Sequence, residues 1–142
     1  MKNWIVVFII LILLVIGFNF TLHARTFSFQ DVIPIDRDKV SSIEIEYKDQ
    51  KVVMKNKEKM RQLVDELSII KLKNTKNRMD STKSSLDEPY WIRVFEDGKE
   101  KYGLTLYGQD DLESFDFSKT KNKPSEYRIV DGNHVDIGKY IK

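Results

Sequence analysis

Apolar and polar positions fall into three patterns along the chain. From Trp4 to Leu22, "WIVVFIILILLVIGFNFTL", apolar residues run on with only Asn19 and Thr21 clearly polar. A core helix of a soluble domain carries a polar side, whereas Ile5 to Ile16 is apolar all round, so lipid is its natural solvent. At about 1.5 Å per residue a helix over this stretch reaches roughly 28 Å, close to the ~30 Å of a hydrocarbon core. The pattern predicts an uncleaved signal anchor, a single transmembrane helix within residues 1–25. A cleavable signal is the rival, because Lys2 and the terminal amine form a short positive n-region. The cleavage candidate "LHA", ending at Ala24, puts bulky Leu22 where a peptidase takes a small residue, which favours retention. The short positive N-terminus predicts that the rest of the chain lies outside the cell membrane.

The second pattern has a period of two. In "VSSIEIEYK", Ile43, Ile45 and Tyr47 alternate with Glu44 and Glu46, as in a half-buried strand, and "KVVMK" follows after a gap that suits a hairpin. In "YWIRVFEDGKEKYGLTLYG" two runs rich in β-branched and aromatic residues flank Asp97 and Gly98, which tolerate the positive φ angles of a type I′ turn, so a long hairpin is predicted. "EYRIV" reads as a last strand, and "HVDIGKYIK" as a short terminal helix or extended tail.

The third pattern has the period of a helix. Met60, Leu63, Val64, Leu67 and Ile70 recur at three- and four-residue steps after Asn56, whose side-chain oxygen can cap the first turn. Core packing is the expected use of that stripe. Between these elements, "KLKNTKNRMDSTKSSLDEP" reads as a mobile, lysine-rich loop with room for a short strand at Lys71 to Lys73. "QDDLESFDFSKTKNKPS" reads as a connection with room for one helical turn near Asp110 or Asp111. The order is β-β-α-β-β-β-α, which predicts an α+β fold: a small antiparallel sheet with one main helix on one face, preceded by the transmembrane helix. The organisation expected is an anchor at 1–25, a juxtamembrane segment at 26–39 and an extracytoplasmic domain at 40–142. Phe27, Phe29, Val32, Ile33 and Ile35 in the juxtamembrane segment are expected to dock on the domain or lie at the bilayer interface.

With these quoted stretches in this order, the chain resembles a class of small Gram-positive, membrane-anchored extracytoplasmic domains of unknown function. "SSIEIEY", "LVDELSIIKLKNTK", the long hairpin and "EYRIVDGN" carry the likeness as a layout. It implies a surface-exposed accessory or binding module with no assigned reaction, and so no functional residues. The chain departs from the lipoprotein members in lacking the acceptor cysteine.

Composition narrows the chemistry. The chain has 142 residues and no cysteine, so disulfides, thiolate catalysis and cysteine-ligated metals are excluded. The formal net charge is +2, all of it from Lys2 and Arg25, and beyond them basic residues dominate Lys48 to Lys83 and acidic ones Ser84 to Phe117. His23 falls at the membrane edge, which leaves His134 as the single imidazole of the domain, and neither a nucleophile elbow nor a phosphate loop occurs. No cofactor is called for.

Three constellations remain. Ser118 and Lys121 have the serine–x–x–lysine spacing of some acyl-transfer enzymes, in a setting of lysines, asparagine and proline that does not suit a water-excluding cleft. Asp110, Asp111, Glu113 and Asp116 offer oxygen ligands to calcium but fit no twelve-residue loop; Asp36 and Asp38 are a weaker version. Lys71, Lys73, Lys76, Arg78 and Lys83 could meet an anionic wall polymer or lipid headgroups. Nucleic acid is not expected, because the aromatic residues lie in the strands and not among these lysines. The function predicted is a non-enzymatic, membrane-tethered extracytoplasmic binding or accessory module, presenting its sheet or basic loop to an envelope protein or anionic polymer. The alternatives are a small envelope hydrolase or transferase, and an immunity or inhibitor-like protein.

Overall fold

Eight strands form one antiparallel sheet in a computed structural model that describes residues 2–23, 25–75, 88–120, 123–130, 132 and 134–142. The elements are α1 (Lys2–His23), β1 (Thr26–Ser28), α2 (Phe29–Val32), β2 (Val40–Tyr47), β3 (Gln50–Met54), α3 (Lys57–Ser68), β4 (Lys71–Asn74), β5 (Tyr90–Glu96), β6 (Lys99–Tyr107), β7 (Asp111–Asp116) and β8 (Ser125–Val130), then a 3-10 turn at Ile137–Tyr140. Across the sheet the order is β1-β4-β8-β7-β6-β5-β2-β3.

The local chemistry accounts for the main elements. Asp97 and Gly98 both take positive φ, 51° and 78°, and close the β5–β6 hairpin with a two-residue turn. Asn56 Oδ1 accepts hydrogen bonds from the Glu58 and Lys59 amides at 3.0 and 3.1 Å, starting α3. From α3, Met60, Leu63, Val64 and Leu67 are buried in one core with Ile43, Ile45, Ile92, Val94 and Leu104 of the strands.

The expected fold needs correction on two counts. First, the sheet is not small: β1 and β7 enlarge it, and the short strand for which Lys71 to Lys73 left room is present as β4. β7 takes the place of the connection and helical turn expected near Asp110 and Asp111. Its opening aspartate, read as a helix start, is instead buried beside the Arg128 guanidinium, 3.5 Å away. β4 and β1 close the far edge, with Leu72 registered between Ile129 and Phe27. Residues 76–87 of the predicted loop lie outside the described residues.

Second, the transmembrane helix is overturned: among the described residues no helix is long and apolar enough to cross a membrane. The described apolar side chains of α1 run from Trp4 to Phe18. The segment beyond α1 joins the domain. Phe29, Ile33 and Ile35 are buried in the core, and the Phe29 amide donates to the Ile70 carbonyl at 2.9 Å. Glu96 secures this segment: its buried carboxylate accepts from the Asp36 amide at 2.9 Å and from Lys101 Nζ at 2.6 Å. A bulge between β5 and β6 leaves Lys101 without a cross-strand partner.

Candidate functional site

The two sides of each central strand differ. On β5, Ile92, Val94 and Glu96 are buried while Trp91 and Arg93 are exposed, as the period of two requires. The inner side carries the core; the outer side faces solvent. Register then assembles outward residues that lie far apart in sequence. Glu46, Trp91, Thr105, Glu113 and Glu126 form one row across β2, β5, β6, β7 and β8. Glu44, Arg93, Gly103 and Phe115 form the next.

These rows bound a trough of about 470 Å³ along β6. Gly103 and Thr105 make its floor, Trp91 and Arg93 stand on the β5 side, and Glu113, Phe115 and Phe117 on the β7 side. Neighbouring strands are about 4.8 Å apart, so these walls are separated by roughly 10 Å, the width of one extended polymer. The floor is low because Gly103 has no side chain: a Cβ there would stand 3.3 Å from the Phe117 ring. Trp91 and Phe117 remain 53% and 43% exposed, large apolar surfaces left uncovered on opposite sides of β6.

Charge is arranged unevenly on this face. Arg93 serves three carboxylates, Glu44 at 3.8 Å and Glu46 and Glu100 at 4.0 Å, while Lys51 sits 2.9 Å from Glu44. Glu113 accepts from the Tyr107 hydroxyl at 3.2 Å and stands directly opposite Glu126, a like-charge pair that disfavours the pairing of β7 and β8. Burial raises the pKa of Tyr107, and the charge of Glu113, its hydrogen bond and the charge of Glu126 raise it further.

The residues singled out in the sequence are placed as follows. Lys71 and Lys73 are exposed on β4, with Lys73 opposite Arg128; Lys76, Arg78 and Lys83 lie outside the described residues. The acidic cluster does not converge. Asp111 pairs with Arg128, Glu113 with Tyr107, and Asp116 turns to its own loop, where Ser118 Oγ donates to it at 2.5 Å and Lys119 lies 3.4 Å away. Among the described residues no group of three or more histidine or acidic side chains could hold a metal ion. Asp36 bonds the Asp38 amide, and Asp38 meets Arg61. Lys121, the second half of the serine–lysine pattern, is outside the described residues. His134 is exposed, with Nδ1 3.0 Å from the Gln109 carbonyl oxygen, at a separate cavity of about 220 Å³ whose lining brings no serine, threonine or lysine.

The trough was missed in the sequence, yet it left two signals there. Trp91 and Phe115 are large apolar residues at outward positions, and Gly103 interrupts a strand where only a close approach requires it. The chain matches no family model, no curated protein and no solved structure.

Proposed function

We propose that the chain is a non-enzymatic, membrane-tethered binding module that takes its ligand on the outer face of the sheet. One observation carries this reading: the strands that pack the core completely on one side leave an open trough on the other, floored by Gly103 and Thr105 and walled by aromatic and charged side chains. Concave sites with apolar walls and a few placed polar groups are where ligands bind. Tethering rests on α1, whose described side chains from Trp4 to Ile16 are apolar and all exposed. Exposed apolar area costs about 25 cal/mol per Å² in water, so lipid is its natural cover, with the helix sinking into the leaflet that the domain faces. In this reading the domain is extracytoplasmic and faces the outer leaflet.

The absence of cysteine makes a direct test simple. Thr105→Cys places the single thiol on the trough floor, and Lys57→Cys places it on α3, remote from the trough. With the full chain on liposomes and envelope extract added, maleimide labelling of Thr105→Cys is expected to slow while that of Lys57→Cys is unchanged. Equal rates at both positions would remove the outer face as the binding site. Flotation tests the tether: the full chain is expected to rise with liposomes, and Leu11→Arg with Ile12→Arg to weaken that association. Undiminished flotation of the double variant would sink it.

A further inference from the structure

We infer that the occupant of the trough is an extended, lysine- or arginine-bearing peptide segment, an inference that rests on the outer face being the binding site. The argument is one of complementarity. Along the row Glu46–Trp91–Thr105–Glu113–Glu126 an indole stands next to one carboxylate, Glu46, and two others, Glu113 and Glu126, face each other across β7 and β8; Trp91 and Glu113 line the trough itself. A cation above this row meets an aromatic surface and negative charge together, which is the environment a lysine or arginine side chain favours. An anionic polymer would meet repulsion here, because among the described residues the one cation of the trough lining, Arg93, is already shared by three carboxylates.

The neighbouring row supplies the apolar half of the recognition. Phe117 packs over Gly103, where a Cβ would stand 3.3 Å from its ring, and the exposed part of that ring with Phe115 gives an aliphatic side chain next to the cation an apolar surface to lie on. The trough is about one strand-width to either side of β6 and follows its direction, so an extended backbone fits along it and a folded helix, about 10 Å across, fills it without reaching the floor.

The test uses the full chain in detergent micelles with three probes of defined composition: a fluorescent peptide of alternating lysine and valine, the same peptide with glutamate for lysine, and a neutral chito-oligosaccharide. The lysine peptide is expected to bind, with affinity falling about tenfold in Glu113→Gln and in Trp91→Ala, and falling again as salt rises. The glutamate peptide is expected not to bind. Lysine-peptide binding that is unchanged in both variants would overturn the site assignment. Oligosaccharide binding that Trp91→Ala abolishes, with no lysine-peptide binding, would overturn the peptide class and leave the outer-face reading standing. Failure of all three probes would overturn the peptide class alone when Thr105→Cys is still protected by envelope extract, and both readings when it is not. Circular dichroism of each variant establishes that the fold is intact, and Glu113→Gln, an isosteric surface change, keeps the test valid if Trp91→Ala does not fold.

Discussion

Two rows of the same sheet, one residue apart on every strand, have opposite characters. Ile45, Ile92, Leu104 and Ser114 are paired across β2, β5, β6 and β7 and buried on the inner face. Glu46, Trp91, Thr105 and Glu113 are paired across the same strands on the outer face and reach solvent. The alternation of the pleat thus lets one set of strands hold the fold together and present a recognition surface, with little chemistry shared between the two. The largest expected effect follows directly. Leu104→Ala should cost about 2–5 kcal/mol, the range for a buried leucine that leaves a cavity, whereas Trp91→Ala should cost under about 1 kcal/mol. Urea unfolding of the two variants measures both, and a Trp91→Ala loss as large as that of Leu104→Ala would break the division.

A buried carboxylate on the inner face sharpens the comparison. Glu96 is a buried carboxylate whose partners are the Asp36 amide and Lys101. The Lys101 pKa is raised, above all by its hydrogen bond to Glu96. Glu96→Ala should leave the amide and the ammonium without their acceptor and cost about 1–3 kcal/mol. Because the contact holds the segment from Ile33 to Asp38, hydrogen exchange should rise there first. Uniform exchange changes across the sheet would show instead that the carboxylate supports the whole core.

How much of this was visible in the sequence depended on whether the cause was local. The Asp97–Gly98 turn and the Asn56 cap were legible because a positive φ and a free amide are requirements of a few consecutive residues. β7 was not. Its inward positions, Leu112, Ser114 and Asp116, include one apolar residue, and its opening acids imitate a helix start; only the pairing with β6 and β8 makes it a strand. β1 and β4 are three and four residues long; β4 owes its existence to β8 beside it, and β1 to β4. The apolar run at the N-terminus was legible as a helix, but among the described residues no helix is long and apolar enough to cross a membrane. The trough was invisible for a related reason. Trp91, Thr105 and Glu113 become neighbours only when the strand order is known, whereas the lysines that attracted attention were adjacent in sequence.

On the outer face, single changes should move stability little and in the favourable direction. Glu113→Gln removes the like-charge opposition to Glu126 while retaining an acceptor for the Tyr107 hydroxyl, and should stabilise the fold by about 0.5 kcal/mol. The gain should shrink as salt is added, because salt screens the repulsion that the substitution removes. A loss of stability in thermal unfolding would mean that the carboxylate holds the sheet together, and the face would no longer count as spare.

The smallest effect concerns the two tyrosines that mark the two faces. Tyr102 is inward and its pKa is raised first by burial; Tyr107 is outward and is raised by burial and then by Glu113. A raised folded-state value favours the protonated phenol, so this contribution to stability is complete below pH 10, the ordinary tyrosine value, and disappears as pH rises through the folded-state value. Glu113→Gln should lower the Tyr107 value toward, but not to, the ordinary one, since burial persists. Above pH 10 the wild-type chain should therefore lose stability more steeply than the variant. Tyrosinate absorbance recorded against pH for the two proteins, with Tyr107→Phe to assign the step, measures the shift. An unmoved Tyr107 step would show that burial alone sets its titration and that the Glu113 charge reaches the solvent, not the phenol.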